Sequence, residues 1–271
     1  MKAPMRKNVA ALVTLLGILP LGLPAGAAAG DRFEGEGVRL RLLAERPDAE
    51  GHFRGALLVD LKPGWKTYWL DPGEAGIPPD LRFGNAPETV ASFPAPHRVD
   101  DGFAKSIVYS APFAVALDGR LEPGTAKPQL KATLGVCQEI CIPVAAVLDA
   151  EPAASAEVRG AIDAAFAALP RPSTAEAGIV GAELSEDSGT LTVSVRPASA
   201  AAGADLFAAA PNGWAFGPPG AVRSVGDEAR ITLPVTAKPR KTAAAPFAIE
   251  ATLAGPAGNW RASGLAVRRQ R

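Results

Sequence analysis

Apolar residues in this chain come mainly in short alternating runs, cut every few residues by proline or glycine. In Phe53-Arg54-Gly55-Ala56-Leu57-Leu58-Val59-Asp60-Leu61, the residues Phe53, Gly55, Leu57, Val59 and Leu61 fall on one face of a strand. Lys62-Pro63-Gly64-Trp65 follows, with Pro second and Gly third, the order a tight turn asks for. The next segment places Trp65, Thr67 and Trp69 on one face and Lys66 and Tyr68 on the other. Further strands are expected at 88–93, 106–109, 112–117, 128–137 and 141–149, while 71–80 reads as a loop. With 26 Pro and 28 Gly among 271 residues, turns are frequent enough for an all-β sandwich and too frequent for a helical bundle.

One segment breaks the pattern. Val158, Ile162, Phe166 and Leu169 form a helical stripe, Ser155 can cap its start, Glu157 suits the first turn, and Pro170 ends it. At about 100–200 residues per domain, 271 residues make one large domain or two ordinary ones. The expected layout is a signal peptide at 1–29, a first β-sandwich at 30–150, a helix and Pro-rich linker at 151–176, and a second, Cys-free sandwich at 177–271. The signal reading rests on Lys2, Arg6 and Lys7, an uncharged apolar run, and small residues Ala27, Ala28 and Ala29. No other stretch approaches the ~20 apolar residues of a membrane helix, so a soluble, exported protein is expected. Losing those three cations would leave 25 basic residues against 28 acidic ones, without the basic excess of a nucleic-acid binder. Nothing asks for a second copy, so a monomer is expected.

Reactive chemistry is concentrated in the only two cysteines, Cys137 and Cys141. In a straight strand, residues four apart lie about 13 Å from each other, whereas a disulfide needs Cα atoms within about 7 Å. A bridge therefore requires a turn at Gln138-Glu139-Ile140, with a strand entering and a strand leaving. A loop this short stabilises a fold by only about 2 kcal/mol in the chain-entropy expression. On spacing alone, three readings stand: a structural bridge, a redox pair, and a metal site. No G-x-S-x-G, H-E-x-x-H, G-x-x-x-x-G-K or G-x-G-x-x-G competes. The only histidines, His52 and His97, read as solvated surface residues, although either could be a third ligand if the thiolates held Cu(I). A non-enzymatic interaction module with a structural disulfide is the other alternative.

Three segments, GWKTYWLDPGEAGIPP (64–79), FPAPHRVDDGFAKSIVY (93–109) and LGVCQEICIP (134–143), resemble the N-terminal periplasmic domain of the thiol:disulfide interchange protein DsbD. The two-module layout is closer to the related ScsB type. The likeness covers residues 31–150 well and is looser over 175–271. It implies immunoglobulin-like sandwiches and a protein-disulfide reductase-like activity without cofactor. It also implies partners: a separate membrane electron-transfer protein or thioredoxin-like donor, and oxidised periplasmic proteins, in the thiol traffic that includes cytochrome c biogenesis. Position by position, Cys137 and Cys141 match the active thiols, with Cys141 forming the mixed disulfide. Phe103, in the loop DDGFAKS, matches the ring that caps the disulfide. Asp100 and Asp101 match acidic residues near the thiols, and Tyr68 and Trp69 match aromatics beside the site. With Glu139, these acids would disfavour a thiolate, and an apolar setting of Val136, Ile140 and Ile142 would push the same way. The chain departs from the pattern in its shorter Cys spacing, and no transmembrane electron-carrying domain follows in it.

Overall fold

The computed structural model describes residues 30–239 and 247–270. The expected signal peptide at 1–29 lies outside the described residues. In chain order the first strands are β1 (Arg32–Gly35), β2 (Val38–Ala44), β3 (His52–Leu61), β4 (Lys66–Gly73) and β5 (Asp80–Phe83). Then come β6 (Val90–Ser92), β7 (His97–Asp100), β8 (Lys105–Tyr109), β9 (Phe113–Arg120), β10 (Gln129–Cys137) and β11 (Cys141–Asp149). They form two sheets, one in the order β1-β2-β3-β9-β6, the other β11-β10-β4-β8-β7 with β5 added beside β10. The two sheets share one core, in which Leu57 and Leu117 meet Trp69, Ile107 and Leu130. The chain is all-β, in keeping with an immunoglobulin-like sandwich.

Local patterns behave as the alternation requires. Phe53, Gly55, Leu57, Val59 and Leu61 are all buried along β3. Trp65 N–H donates to Lys62 O at 3.0 Å across the Pro63-Gly64 turn, and Gly64 has φ +83°, a conformation that favours glycine. Two short strands differ from the expected map. The segment 71–80 is not wholly a loop, since β4 runs on to Gly73 and Asp80 opens β5. Strand β7, at 97–100, carries no alternation long enough to find, and only its pairing with β8 defines it.

The helix α1 (Ala156–Ala167) starts where its cap is placed, with Ser155 Oγ accepting the N–H of Val158 at 3.2 Å. It packs on the outer face of the first sheet, where Val158, Ile162 and Ala165 meet Leu43, Ala56 and Ala116. The expected linker also contributes structure: β12 (Arg171–Pro172) pairs in parallel with the last strand. Beyond it come β13 (Gly178–Leu184), β14 (Thr190–Arg196), β15 (Asp205–Ala209), β16 (Ala215–Phe216), β17 (Val222–Val225), β18 (Glu228–Ala237), β19 (Phe247–Gly255) and β20 (Gly258–Arg269). All join one nine-stranded sheet in the order β15-β19-β20-β13-β14-β18-β16, with β12 on β20 and β17 on β18. This sheet wraps its own core, built on Leu191, Val193, Ile231 and Leu253. Phe207 and Ala209 of β15, however, are buried in the first core.

Candidate functional site

Strands β10 and β11 form a hairpin paired without slippage from Gln129↔Asp149 to Cys137↔Cys141. Its loop is Gln138-Glu139-Ile140, the turn that a bridge demands. The two Cα atoms are 4.1 Å apart and the sulfurs are bonded. The pair is asymmetric. Cys137 is 5% exposed and packs with Tyr68 and Val108, with Val99 beside them. Cys141 begins the edge strand β11 and is exposed. An attacking thiolate can therefore reach the Cys141 side of the bridge, while Cys137 is buried among Tyr68, Val108 and Val99.

Strand β4 supplies the surroundings. Thr67 is buried against the hairpin and its hydroxyl donates to Gly135 O at 2.7 Å. The residues on either side of it, Lys66 and Tyr68, turn to the face that carries the disulfide. Lys66 is the cross-strand partner of Cys137. Tyr68 Oη lies 2.9 Å from Cys141 Sγ; a disulfide sulfur carries no hydrogen, so the hydroxyl donates. Burial pushes the Tyr68 phenol up from its ordinary value, the Lys66 ammonium pulls it down, and Asp101 pushes it up again. It is therefore a protonated donor at neutral pH. Gly76 passes against the Tyr68 ring, where a side chain would overlap it, and has φ +136°. This contact gives the glycine in PGEAGIPP a physical reason.

The loop between β7 and β8 is Asp101-Gly102-Phe103-Ala104. Lys66 Nζ is 2.9 Å from Asp101 Oδ2, and Asp101 Oδ1 accepts the N–H groups of Phe103 at 3.1 Å and Ala104 at 3.0 Å. The Lys66 hydrogen bond first, and those backbone donors next, hold the Asp101 carboxyl at about 2. Asp100 accepts from Gly102 N–H at 3.0 Å.

Cys137, Cys141, Tyr68 and the Asp101 loop thus come together, and several other expected residues fall elsewhere. Trp69 does not flank the disulfide: alternation along β4 turns it into the core, against Phe207. Phe103 does not cover the sulfurs in this conformation, because its side chain is 99% exposed and packs on nothing. Glu139 and Ile140 sit at the exposed hairpin tip, Ile140 at 76%, so Ile140 contributes no apolar setting; Val136 is in the core and Ile142 is partly buried against it. The expected acidic surroundings are countered by Lys66, which sequence reasoning missed. Its signal was present in the alternation that put Lys66 and Tyr68 on one face. His97 is 3.1 Å from the Ser110 hydroxyl, and its pKa is lowered by desolvation. Among the described residues, no three His, Cys, Asp or Glu side chains are grouped to hold a metal ion. No helix among them is long and apolar enough to cross a membrane.

Comparison with known proteins bears on this geometry. No curated protein matches the chain. Among solved structures, the N-terminal periplasmic domain of ScsB from Proteus mirabilis is similar, with 21% identity and a TM-score of 0.65, over 87% of this chain and 95% of that one. At that identity the likeness establishes the fold. A glucan-utilization protein of Bacteroides ovatus, SGBP-B in complex with a mixed-linkage heptasaccharide, aligns over 83% of this chain and 54% of its own at 10% identity, but its TM-score of 0.16 carries no argument. Residues 40–152, the segment that contains the disulfide hairpin, Lys66, Tyr68 and the Asp101 loop, match the family described as "Thiol:disulfide interchange protein DsbD, N-terminal", which marks them as a thiol–disulfide interchange module.

Proposed function

We propose that the protein is a periplasmic thiol–disulfide oxidoreductase that passes two electrons through Cys137 and Cys141. The donor would be a separate membrane or thioredoxin-like protein, and the acceptors oxidised periplasmic proteins. The observation that carries this reading is the asymmetry of the pair: an exposed Cys141 that receives a hydroxyl hydrogen bond, and a buried Cys137 beside it. In the reduced protein, the Cys141 thiolate attacks one sulfur of the partner's disulfide. That S–S bond breaks, its other sulfur leaves as a thiolate and takes up a proton, and a mixed disulfide to Cys141 remains. The Cys137 thiolate then attacks Cys141 Sγ. The mixed bond breaks, the partner's second thiol is released, and the internal disulfide closes. The partner is reduced by two electrons and the Cys pair is oxidised by two. A donor dithiol attacks the same exposed Cys141 sulfur to reverse this.

The test uses single substitutions with a thioredoxin-like partner. Cys141→Ser should abolish transfer, because nothing exposed remains to attack. Cys137→Ser should accumulate the mixed disulfide, visible as a heavier species that dithiothreitol collapses. If both variants transfer electrons like the wild type, the redox reading fails and the bridge is a staple.

A further inference from the structure

The nine-stranded sheet carries no cysteine or histidine, yet it grips the two elements that surround the disulfide. Strand β4 brings Lys66 and Tyr68. On its opposite face, Trp69 meets Phe207 of β15 edge-on, with ring centroids 6.0 Å apart. Two residues along, Asp71 is 5% exposed, and its carboxylate accepts the N–H of Gly73 at 2.8 Å and of Phe216 in β16 at 3.3 Å. Strand β7 leads into the Asp101 loop. Its Val99 packs beside Tyr68, Val108 and Cys137, while the preceding Arg98 faces the other sheet. There Arg98 Nε lies 3.1 and 3.0 Å from the two carboxylate oxygens of Asp205, its Nη2 donates to Leu206 O at 2.8 Å, and the guanidinium sits 4.9 Å from the Phe207 ring centre.

A tethered spacer would meet its neighbour through a small polar contact that leaves the two free to move. This contact is instead built from a charge-assisted guanidinium clamp, a buried carboxylate and an aromatic pair sunk into the first core. Each grip lies one residue along the strand from a side chain that touches the disulfide cluster: Trp69 beside Tyr68, and Arg98 beside Val99. We infer that the nine-stranded sheet is a brace for the redox site, with Arg98 and Asp205 as positioning residues that fix β7, the Asp101 loop and the face of β4 relative to the disulfide. This rests on the exchange reading above and gives the second half of the chain its task within it.

The experiment uses the full chain with Asp205→Ala, a change outside the interchange module. Amide hydrogen exchange over 97–109 reads the brace directly. Iodoacetamide reaction of the reduced thiols from about pH 5 to about pH 10 reads the site, spanning the ordinary thiol range. The brace predicts exchange over 97–109 at least about threefold faster, the scale of one lost coupled contact, together with a displaced midpoint in the alkylation profile. The paired variant Arg98→Asp/Asp205→Arg should restore both toward wild type. Ser155→Ala, on the remote helix cap, serves as the control that lowers Tm without moving either. Should Asp205→Ala prove too unstable, Phe207→Leu tests the same grip. If Asp205→Ala lowers Tm but leaves amide exchange and the alkylation profile as in wild type, the contact is only structural and the brace is rejected. Failure of the exchange reading looks different: the wild-type disulfide would not be opened by a reduced thioredoxin-like protein, whatever the amide exchange of the variant.

Discussion

Lys66 and Cys137 stand directly opposite each other on neighbouring antiparallel strands, so their side chains share a face with Cβ atoms about 5 Å apart. The Lys66 side chain is 15% exposed and its ammonium is held by Asp101 at 2.9 Å. A partly screened cation therefore lies across from the buried sulfur, and the anion that screens it comes from the loop beside the disulfide.

Opposite signs are expected from the two members of this pair. Lys66→Met removes the cation that stabilises a thiolate, so the thiol pKa rises and the disulfide becomes harder to reduce. Asp101→Asn leaves the cation unscreened, so both move the other way. One pKa unit corresponds to about 1.4 kcal/mol, or about 30 mV for a two-electron couple, and each change should be of that order or smaller. Equilibration with graded glutathione buffers, counted by alkylation and mass, measures it. Shifts of the same sign in both variants would eliminate the electrostatic account.

The Tyr68 hydroxyl has a separable role. Tyr68→Phe keeps the buried ring, so Tm should change little. It removes the hydrogen bond to Cys141, and a thiolate that loses a hydroxyl donor has a raised pKa. The alkylation midpoint of the Cys141 thiol, read in a Cys137→Ser background, should rise by about one unit. Gly76→Ala should move it too, because a Cβ there overlaps the Tyr68 ring, and it should also cost about 1–3 kcal/mol for the backbone conformation it forces. An unchanged midpoint in Tyr68→Phe would reduce the 2.9 Å contact to packing.

The helix cap gives a prediction confined to stability. Ser155 Oγ accepts the Val158 N–H at 3.2 Å, so Ser155→Ala should cost about 1 kcal/mol, measured by urea unfolding. Because α1 packs on the outer face of the first sheet against Ala56 and Ala116, away from the Cys hairpin, exchange with a small disulfide should keep its rate. A loss of exchange in this variant would mean that the helix reaches the site in a way its packing does not indicate.

How much of this was legible in the sequence follows from the range of each interaction. The β3 face, the Pro63-Gly64 turn, the Ser155 cap and the Cys137–Cys141 hairpin each depend on residues within about ten positions, and all are in place. The side on which Tyr68 and Lys66 emerge was also readable, since alternation fixes it. What the alternation could not say is which side faces the disulfide; the resemblance implies both Tyr68 and Trp69 beside it, and Trp69 points to the core. The Lys66–Asp101 pair spans 35 positions and the Arg98–Asp205 clamp 107, and no local period encodes either. Strand β7 has four residues, and β12 has two within a Pro-rich stretch; pairing partners distant in sequence make them strands. Phe103 illustrates the reverse limit: the resemblance supplied a role as cap, and the ring is solvent-facing in this conformation.

Asp71 provides the pH test of the junction. Burial raises its pKa above the ordinary 3.8, and hydrogen bonds from Gly73 and Phe216, with the Arg98 charge, only partly counter that. Between the unfolded value and the raised folded value, the native state holds a proton that the unfolded chain has released. Stability from this group is therefore highest below about pH 4 and falls as pH rises through the folded value. The Asp101 carboxyl, held at about 2, acts with the opposite sign and in a lower window: its contribution is present above 3.8 and is lost as pH falls toward 2. Asp71→Asn removes the first effect and leaves the second. It keeps one acceptor oxygen for the two N–H groups, so its stability relative to wild type should improve as pH rises from about 4 and level off once pH passes the raised folded value. Urea unfolding of both proteins across that range measures the difference. A constant difference would show that Asp71 carries its charge at this junction without cost, and the junction would then have to be wetter than its burial implies.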